Sequence, residues 1–146
     1  MPAMRSASPE APVNVRAARV EDFAAIAAIQ SASPEAAQWT PAGYECVVAL
    51  LENQLAGFLV FRKTTVTELE VLNVAVQPAF RRRGMARRMM QFMLDGHRGD
   101  VFLEVRQSNQ TARKFYESIG FREISRRQDY YRNPVESGIV MKFLSC

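Results

Sequence analysis

The stretch that most constrains this chain is ELEVLNVAVQPAFRRRGMARRMM, Glu68 to Met90. Thr67 to Val76 has strand character, Gln77-Pro78 marks a turn, and RRRGMA follows. Met85, Met89, Met90 and Met93 then recur at helical spacing. A strand, a basic glycine-bearing loop and a helix N-terminus together make an anion cradle. The first N–H groups of a helix have no internal partners, and the helix dipole favours negative charge beside them. Gly84 lets the backbone approach an anion closely. Arg81, Arg82, Arg83, Arg87 and Arg88 raise the local positive potential. The stretch reads as a diphosphate site. A P-loop is excluded, since GxxxxGK(S/T) is absent, and without GxGxxG a dinucleotide site is unsupported.

Around this unit the pattern predicts an α/β domain. A short strand over Asn14–Val20 ends at Glu21-Asp22, where Asp22 caps or opens a helix over Phe23–Ser31 with Phe23, Ile26, Ala27 and Ile29 on its apolar face. SASPEAAQWTPAGY reads as loop. Cys46–Leu51 and Leu55–Lys63 form a hairpin turning at Glu52-Asn53-Gln54 and leading into the central strand. The methionine helix runs from Gly84 to about Asp95, with Gly96 and Gly99 as stops. Asp100–Val105 is a strand apolar enough to be buried on both faces. A helix capped by Ser108 or Asn109 carries Ala112, Phe115, Tyr116 and Ile119 on one face and stops at Gly120. Phe121–Tyr131 and Val135–Phe143 are the last two strands, joined through Asn133-Pro134. The sum is a mixed sheet with helices on both faces.

Two residues stand out chemically. Glu104 lies inside VFLEV, where a carboxylate costs several kcal/mol at order of magnitude unless it is paired or faces a cleft. Burial raises the pKa of such a group, which suits a general base near neutral pH. An ion pair with one of the many arginines is the alternative. Tyr116 lies twelve positions on, on the apolar face of the next helix, where a core aromatic with a satisfied hydroxyl is the other reading.

Composition narrows the class. The chain has 146 residues, 48% hydrophobic and 23% charged, as expected of one globular domain. Residues 1–12 read as a frayed tail without a secretory h-region, and 13–146 as the domain. No apolar run is long enough for a membrane helix. Cys46 and Cys146 form neither a disulfide framework nor a C-x-x-C metal pair, and a cytoplasmic enzyme is expected. His97 reads as a solvated helix cap. The net charge of +4 invites a nucleic-acid reading, but the basic residues cluster at 81–88 and 122–132 without a nucleic-acid fold signature.

The arrangement R-x-x-G-x-A at Arg81, Gly84 and Ala86, directly after a strand, resembles the acyl-coenzyme A loop of the GNAT family of N-acetyltransferases, Q/R-x-x-G-x-G/A. LEVRQSNQTARKFYESIGF, Leu103 to Phe121, is similar to the LEVR-x-SN-x-x-A-x-x-x-Y-x-x-x-GF signature of the ribosomal-protein-alanine acetyltransferases within that family. RRQDYYRNP, Arg126 to Pro134, is similar to their R-x-x-YY-x-x-P segment. The resemblance spans about Leu55 to Leu144.

It implies a mixed, mostly antiparallel sheet whose splayed central strands hold acetyl-CoA. Glu104 then corresponds to the proton acceptor and Tyr116 to the proton donor for the departing thiolate. Val74, Ala75 and Val76 match the strand that pairs with the pantetheine arm, and an N–H near Val74 helps hold the oxyanion. Arg81, Arg82, Arg83, Gly84, Met85, Ala86 and Arg87 match the pyrophosphate loop, and Asn109 a coenzyme contact. Trp39 falls in one wall of the acceptor groove, preceded here by Gln38 where relatives carry Pro, in a shortened 32–45 region. Tyr130 and Tyr131 supply the other wall, and Glu68 and Glu70 are reserve bases. The chemistry implied is direct transfer without a metal. The acceptor implied is the N-terminal alanine of ribosomal protein S18. The shortened region favours a small-molecule amine instead, and a non-catalytic coenzyme-A-binding module is the reading of another class. Glu104 and Tyr116 together argue against the last, and neither nucleic acid nor membrane is an expected partner.

Overall fold

The computed structural model describes residues 12–31 and 44–144, so the predicted tail up to residue 11, Trp39 and Cys146 lie outside the described residues. Seven strands form one sheet in the order β1-β2-β3-β4-β5-β7-β6. They are β1 (Val13–Ala17), β2 (Glu45–Leu51), β3 (Gln54–Thr65), β4 (Glu68–Val76), β5 (Asp100–Arg106), β6 (Phe121–Tyr131) and β7 (Glu136–Phe143). The helices are α1 (Phe23–Ser31), α2 (Met85–Asp95) and α3 (Gln110–Ile119). The β4–β5 pair is parallel, whereas β1–β2, β2–β3, β5–β7 and β6–β7 are antiparallel. Among the described residues, no helix is long and apolar enough to cross a membrane.

Two compact units divide the chain. The first comprises the described residues of Met1–Phe61 and Asn73–His97, the second those of Arg62–Leu72 and Arg98–Cys146. In the first, the β2–β3 turn holds Glu52 and Asn53 at φ 52° and 66°, the left-handed pair that suits the twist of a hairpin. Val47, Val48, Phe58, Leu59 and Val60 are buried, and so are all four methionines of the predicted α2 stripe. Each of those methionines contributes roughly 1.5–3 kcal/mol through burial.

The first strand is shorter than predicted. It ends at Ala17, and Val20–Asp22 form a 3-10 turn. Of the two roles expected for Asp22, it opens α1 as the residue before Phe23 and does not cap it with its side chain. Its Oδ2 accepts the Arg19 N–H at 2.7 Å and an Arg16 Nη1 hydrogen at 2.8 Å, which turns the carboxylate back over the preceding residues. The Arg16 guanidinium also holds its pKa below the usual carboxylate range. Helix α1 buries Ile26 and Ile29 but leaves Ala27 exposed.

In the second unit, β5 corrects the expectation of burial on both faces. Its residues alternate, with Val101, Leu103 and Val105 buried and Phe102, Glu104 and Arg106 half-buried. Period-two geometry sends successive side chains to opposite faces, and here one face is buried and the other only partly covered. The β4–β5 ladder runs from Glu68↔Asp100 to Val71↔Leu103, and both strands continue beyond it. Gly120, at φ 130°, ends α3; a Cβ there would stand 2.9 Å from the Phe143 ring. Phe121 and Phe143 pack beneath that turn, their ring centroids 5.5 Å apart.

Candidate active site

The first unit holds the basic loop. After β4 the chain makes a 3-10 turn at Pro78–Phe80, and Arg82 (φ 67°) and Gly84 (φ 76°) bend it into α2. Gly84 is the N-cap of α2 and lends no side chain to the helix end. The first α2 hydrogen bond runs from Arg88 N–H to the Gly84 carbonyl at 3.0 Å. The amides of Met85, Ala86 and Arg87 precede it, and helix geometry gives such groups no intrahelical acceptor. A Cβ on Gly84 would meet nothing within 4 Å, so within the protein it is the left-handed φ that demands glycine.

The arginines of this loop are not equivalent. Arg81 donates from Nε to the Val76 carbonyl at 3.0 Å, tying the loop to the strand end. Arg88 reaches the Val13 carbonyl at 3.3 Å. Arg82, Arg83 and Arg87 are exposed. Met85 is buried, so only its backbone is available to a ligand, and Ala86 is half-buried. In β4, Val74 and Val76 lie half-buried on one face while Ala75 is buried on the other. A concavity of about 320 Å³ in this unit is lined by Phe23, Tyr44, Cys46, Phe61 and Phe92 among others. It contains none of the predicted site residues. Burial pushes the Cys46 thiol up to about 12, so it stays protonated.

The second unit brings together Glu104, Arg127, Tyr130, Tyr131 and Gly138. Across β5–β7–β6, Arg106 pairs with Gly138 and Gly138 with Arg127. A Cβ on Gly138 would stand 3.0 Å from Glu104 Oε2 and 3.3 Å from each of the Tyr130 and Tyr131 rings. The missing side chain is therefore the space where carboxylate and rings meet. Oε2 is buried and has no hydrogen-bond partner, while Oε1 accepts from Arg127 Nη1 at 3.3 Å. Burial raises the Glu104 pKa; Arg127 opposes the rise, and the charge of Glu70 adds to it. The ion-pair alternative for Glu104 is thus realised on one oxygen only.

Both tyrosines carry a cation on a ring face. Arg127 lies 3.8 Å from the Tyr130 centroid and Arg106 4.4 Å from that of Tyr131, and the two rings meet edge to face at 5.1 Å. Burial, then the Glu104 charge, pushes the Tyr131 hydroxyl up to about 12. Arg106 also donates to Glu136 Oε1 at 3.1 Å and to the carbonyls of Arg132 and Pro134. Glu136 accepts in addition from the N–H and hydroxyl of Ser108, so the turn before β7 is fastened to the loop before α3.

Tyr116 sits on α3, half-buried against Phe115 and Phe121 at centroid distances of 5.4 and 5.9 Å. Burial, with a smaller contribution from Tyr131, pushes its hydroxyl up to about 12. Asn109 is the N-cap of α3, its Oδ1 accepting the Ala112 N–H at 3.2 Å. The side-chain amide group is the part of Asn109 left for a coenzyme. Glu70 is held through one oxygen by Nε and Nη2 of Arg62, at 3.1 and 2.9 Å. Glu68 faces the Thr64 hydroxyl at 3.5 Å.

Arg127, Arg106, Glu136 and Gly138 escape sequence reasoning. Arg127 lies 23 positions from Glu104 and Arg106 lies 30 from Glu136, and strand register joins them. RRQDYY was legible as a motif, but nothing in it marks Arg127 rather than Arg126 as the neighbour of Glu104. Arg126 instead pairs with Glu123 at 3.1 Å.

Comparison with known proteins gives a family. The sequence profile of the acetyltransferase (GNAT) family matches residues 14–121. The chain is 41% identical over 78 residues to the N-alpha-acetyltransferase RimI of Mycobacterium tuberculosis, covering 53% of this chain and 49% of that one. It is 40% identical over 86 residues to the ribosomal protein bS18-alanine N-acetyltransferase of Haemophilus ducreyi, covering 54% and 59%. The chain thus spans about half the length of the curated relatives it matches. The crystal structure of the Escherichia coli ribosomal-protein-S18-alanine N-acetyltransferase superposes with a TM-score of 0.78 at 24% identity, over 90% of this chain and 93% of that one. That likeness carries the fold.

Proposed function

The chain belongs to the acetyltransferase (GNAT) family, and on that premise we propose that residues 13–146 form one domain that acetylates the N-terminal alanine of ribosomal protein S18. Acetyl-CoA supplies the acetyl group as a thioester. The α2 N-terminus, with Arg82, Arg83, Gly84, Met85, Ala86 and Arg87, would hold its diphosphate, and the Val74–Val76 backbone its pantetheine arm, with Asn109 a further contact. Arg81 acts mainly by fixing the loop. The helix N-terminus and the cationic rim fit a polyanion.

Glu104 takes the proton from the acceptor ammonium. The amine attacks the thioester carbonyl and the C–S bond breaks; Tyr116, kept protonated by burial, hands its hydroxyl proton to the leaving sulfur and regains one from the second N–H of the attacking nitrogen. Tyr130 and Tyr131 line the acceptor side, and Trp39 is assigned there from sequence alone. The observation that carries the reading is the buried, unpartnered Oε2 of Glu104. A carboxylate is left so only at a cost, and a proton-bearing ligand would satisfy it. The names of the relatives direct the acceptor toward an N-terminal alanine, and a cytoplasmic location is part of the same proposal.

The test is release of coenzyme A thiol from acetyl-CoA with a peptide bearing the S18 N-terminal sequence, the same peptide N-blocked, and a panel of small amines. Turnover on the free peptide alone supports the assignment. Turnover on a small amine alone would overturn the acceptor while keeping the chemistry.

A further inference from the structure

Resting on the acetyltransferase reading, we propose that Arg127 is a displaceable occupant of the acceptor subsite, holding beside Glu104 and Tyr130 the place that the acceptor's ammonium takes. Three observations carry this. The contact is long and single: one Nη1 hydrogen reaches one oxygen at 3.3 Å, without the two-pronged geometry of a fixed arginine–carboxylate pair. The two partners differ in exposure. The Arg127 side chain is 54% exposed and that of Glu104 16%, so the cation can swing into water while the anion stays. Finally, the guanidinium lies 3.8 Å over Tyr130, so a carboxylate and a ring face already form a cation site with a cation in it.

An arginine placed for stability alone would gain little there. An ion pair whose cation is half in water contributes little, and the pair leaves Oε2 unserved. As a removable occupant, Arg127 has a clear effect. It shields the buried carboxylate when no acceptor is bound, and amines too weakly held to displace it are rejected. Other charged and titratable groups bear on the same carboxylate. Glu70 acts from β4 and Tyr131 from β6, and Tyr130, Arg106 and Glu136 act on Tyr131 in turn. Of the cations in this set, Arg106 is bound to Glu136 and two carbonyls, whereas Arg127 is bound to Glu104.

The experiment compares wild type with Arg127→Gln and Arg127→Lys at saturating acetyl-CoA, varying the amine and the pH. Removing the guanidinium should lower the KM for the amine about two- to fivefold, the range of an exposed ion pair. Because Arg127 opposes the burial-driven rise of Glu104, the acidic limb of kcat/KM should move to higher pH in Arg127→Gln. Arg127→Lys should restore the limb. Methylguanidinium added to Arg127→Gln should compete with the amine and leave the KM for acetyl-CoA unchanged. A raised KM with an unmoved limb would show Arg127 to be a fixed support and overturn the proposal alone. Failure of wild type on every amine would overturn the acetyltransferase reading and this proposal with it.

Discussion

Gly57 and Ala75 approach so closely that a Cβ built on Gly57 would lie 2.6 Å from the Ala75 carbonyl oxygen, with Val76 Cγ2 at 3.1 Å and Met89 Cε at 3.3 Å. The obstacle is backbone, which cannot swing aside. Gly57→Ala should therefore cost about 1–3 kcal/mol, the usual range for overpacking. At roughly 2–4 °C per kcal/mol for a chain of this size, calorimetry should show a clear fall in Tm. Affinity for acetyl-CoA should fall with it, because the displaced strand is the one assigned to the pantetheine arm. An unchanged Tm would mean that β3 and β4 yield more easily than this contact implies.

Glu104→Gln removes the base and keeps the shape. Turnover should drop about 10²- to 10⁴-fold while acetyl-CoA still binds, the range for loss of a general base. Stability should move the other way at neutral pH. The folded pKa of Glu104 is raised, so the folded state binds more protons than the unfolded one across the window from about 4.3 upward to that raised value. Stability from this group falls as pH rises through the window. Denaturant melts should find the variant no less stable than wild type at pH 8 and without that advantage at pH 4.

Tyr116→Phe should cut turnover about tenfold or more while leaving acetyl-CoA affinity and Tm nearly intact. The ring contacts with Phe115 and Phe121 survive the change; only the hydroxyl is lost. Since that hydroxyl is pushed up to about 12, wild-type rates should show no loss attributable to its ionisation below about pH 11. A tyrosine-dependent fall near pH 9, absent in the phenylalanine variant, would contradict this placement.

Gly84→Glu places a negative, L-configured side chain at φ 76° beside the α2 amides. Binding of acetyl-CoA should be lost in calorimetry. Gly84→Asn, which tolerates the left-handed region, should keep more of it. Equal affinities for wild type and Gly84→Glu would remove the loop from the diphosphate site.

Much of this was legible because the signals are local. The methionine spacing of α2 reports a buried stripe whatever it packs against, and all four residues are buried. The Asn109 cap and the Gly120 stop follow from backbone geometry within one turn. Glu104 stood out because a carboxylate in VFLEV is anomalous by its neighbours alone. The same local reading overreached at β5, where an apolar run suggested two buried faces and one is only partly covered, while Asp22 opens α1 with its carboxylate turned back to Arg16.

The sequence by itself determined the strand–loop–helix unit from Glu68 to Met90, the strand and helix that carry Glu104 and Tyr116, and the family. Tertiary structure alone decided which cation meets Glu104, which oxygen it leaves without a partner, and why residue 138 has no side chain. The physical reason is register. Antiparallel pairing of β5, β7 and β6 sets Arg106, Gly138 and Arg127 in one row across three strands, and a shift of a single residue would turn each side chain to the opposite face.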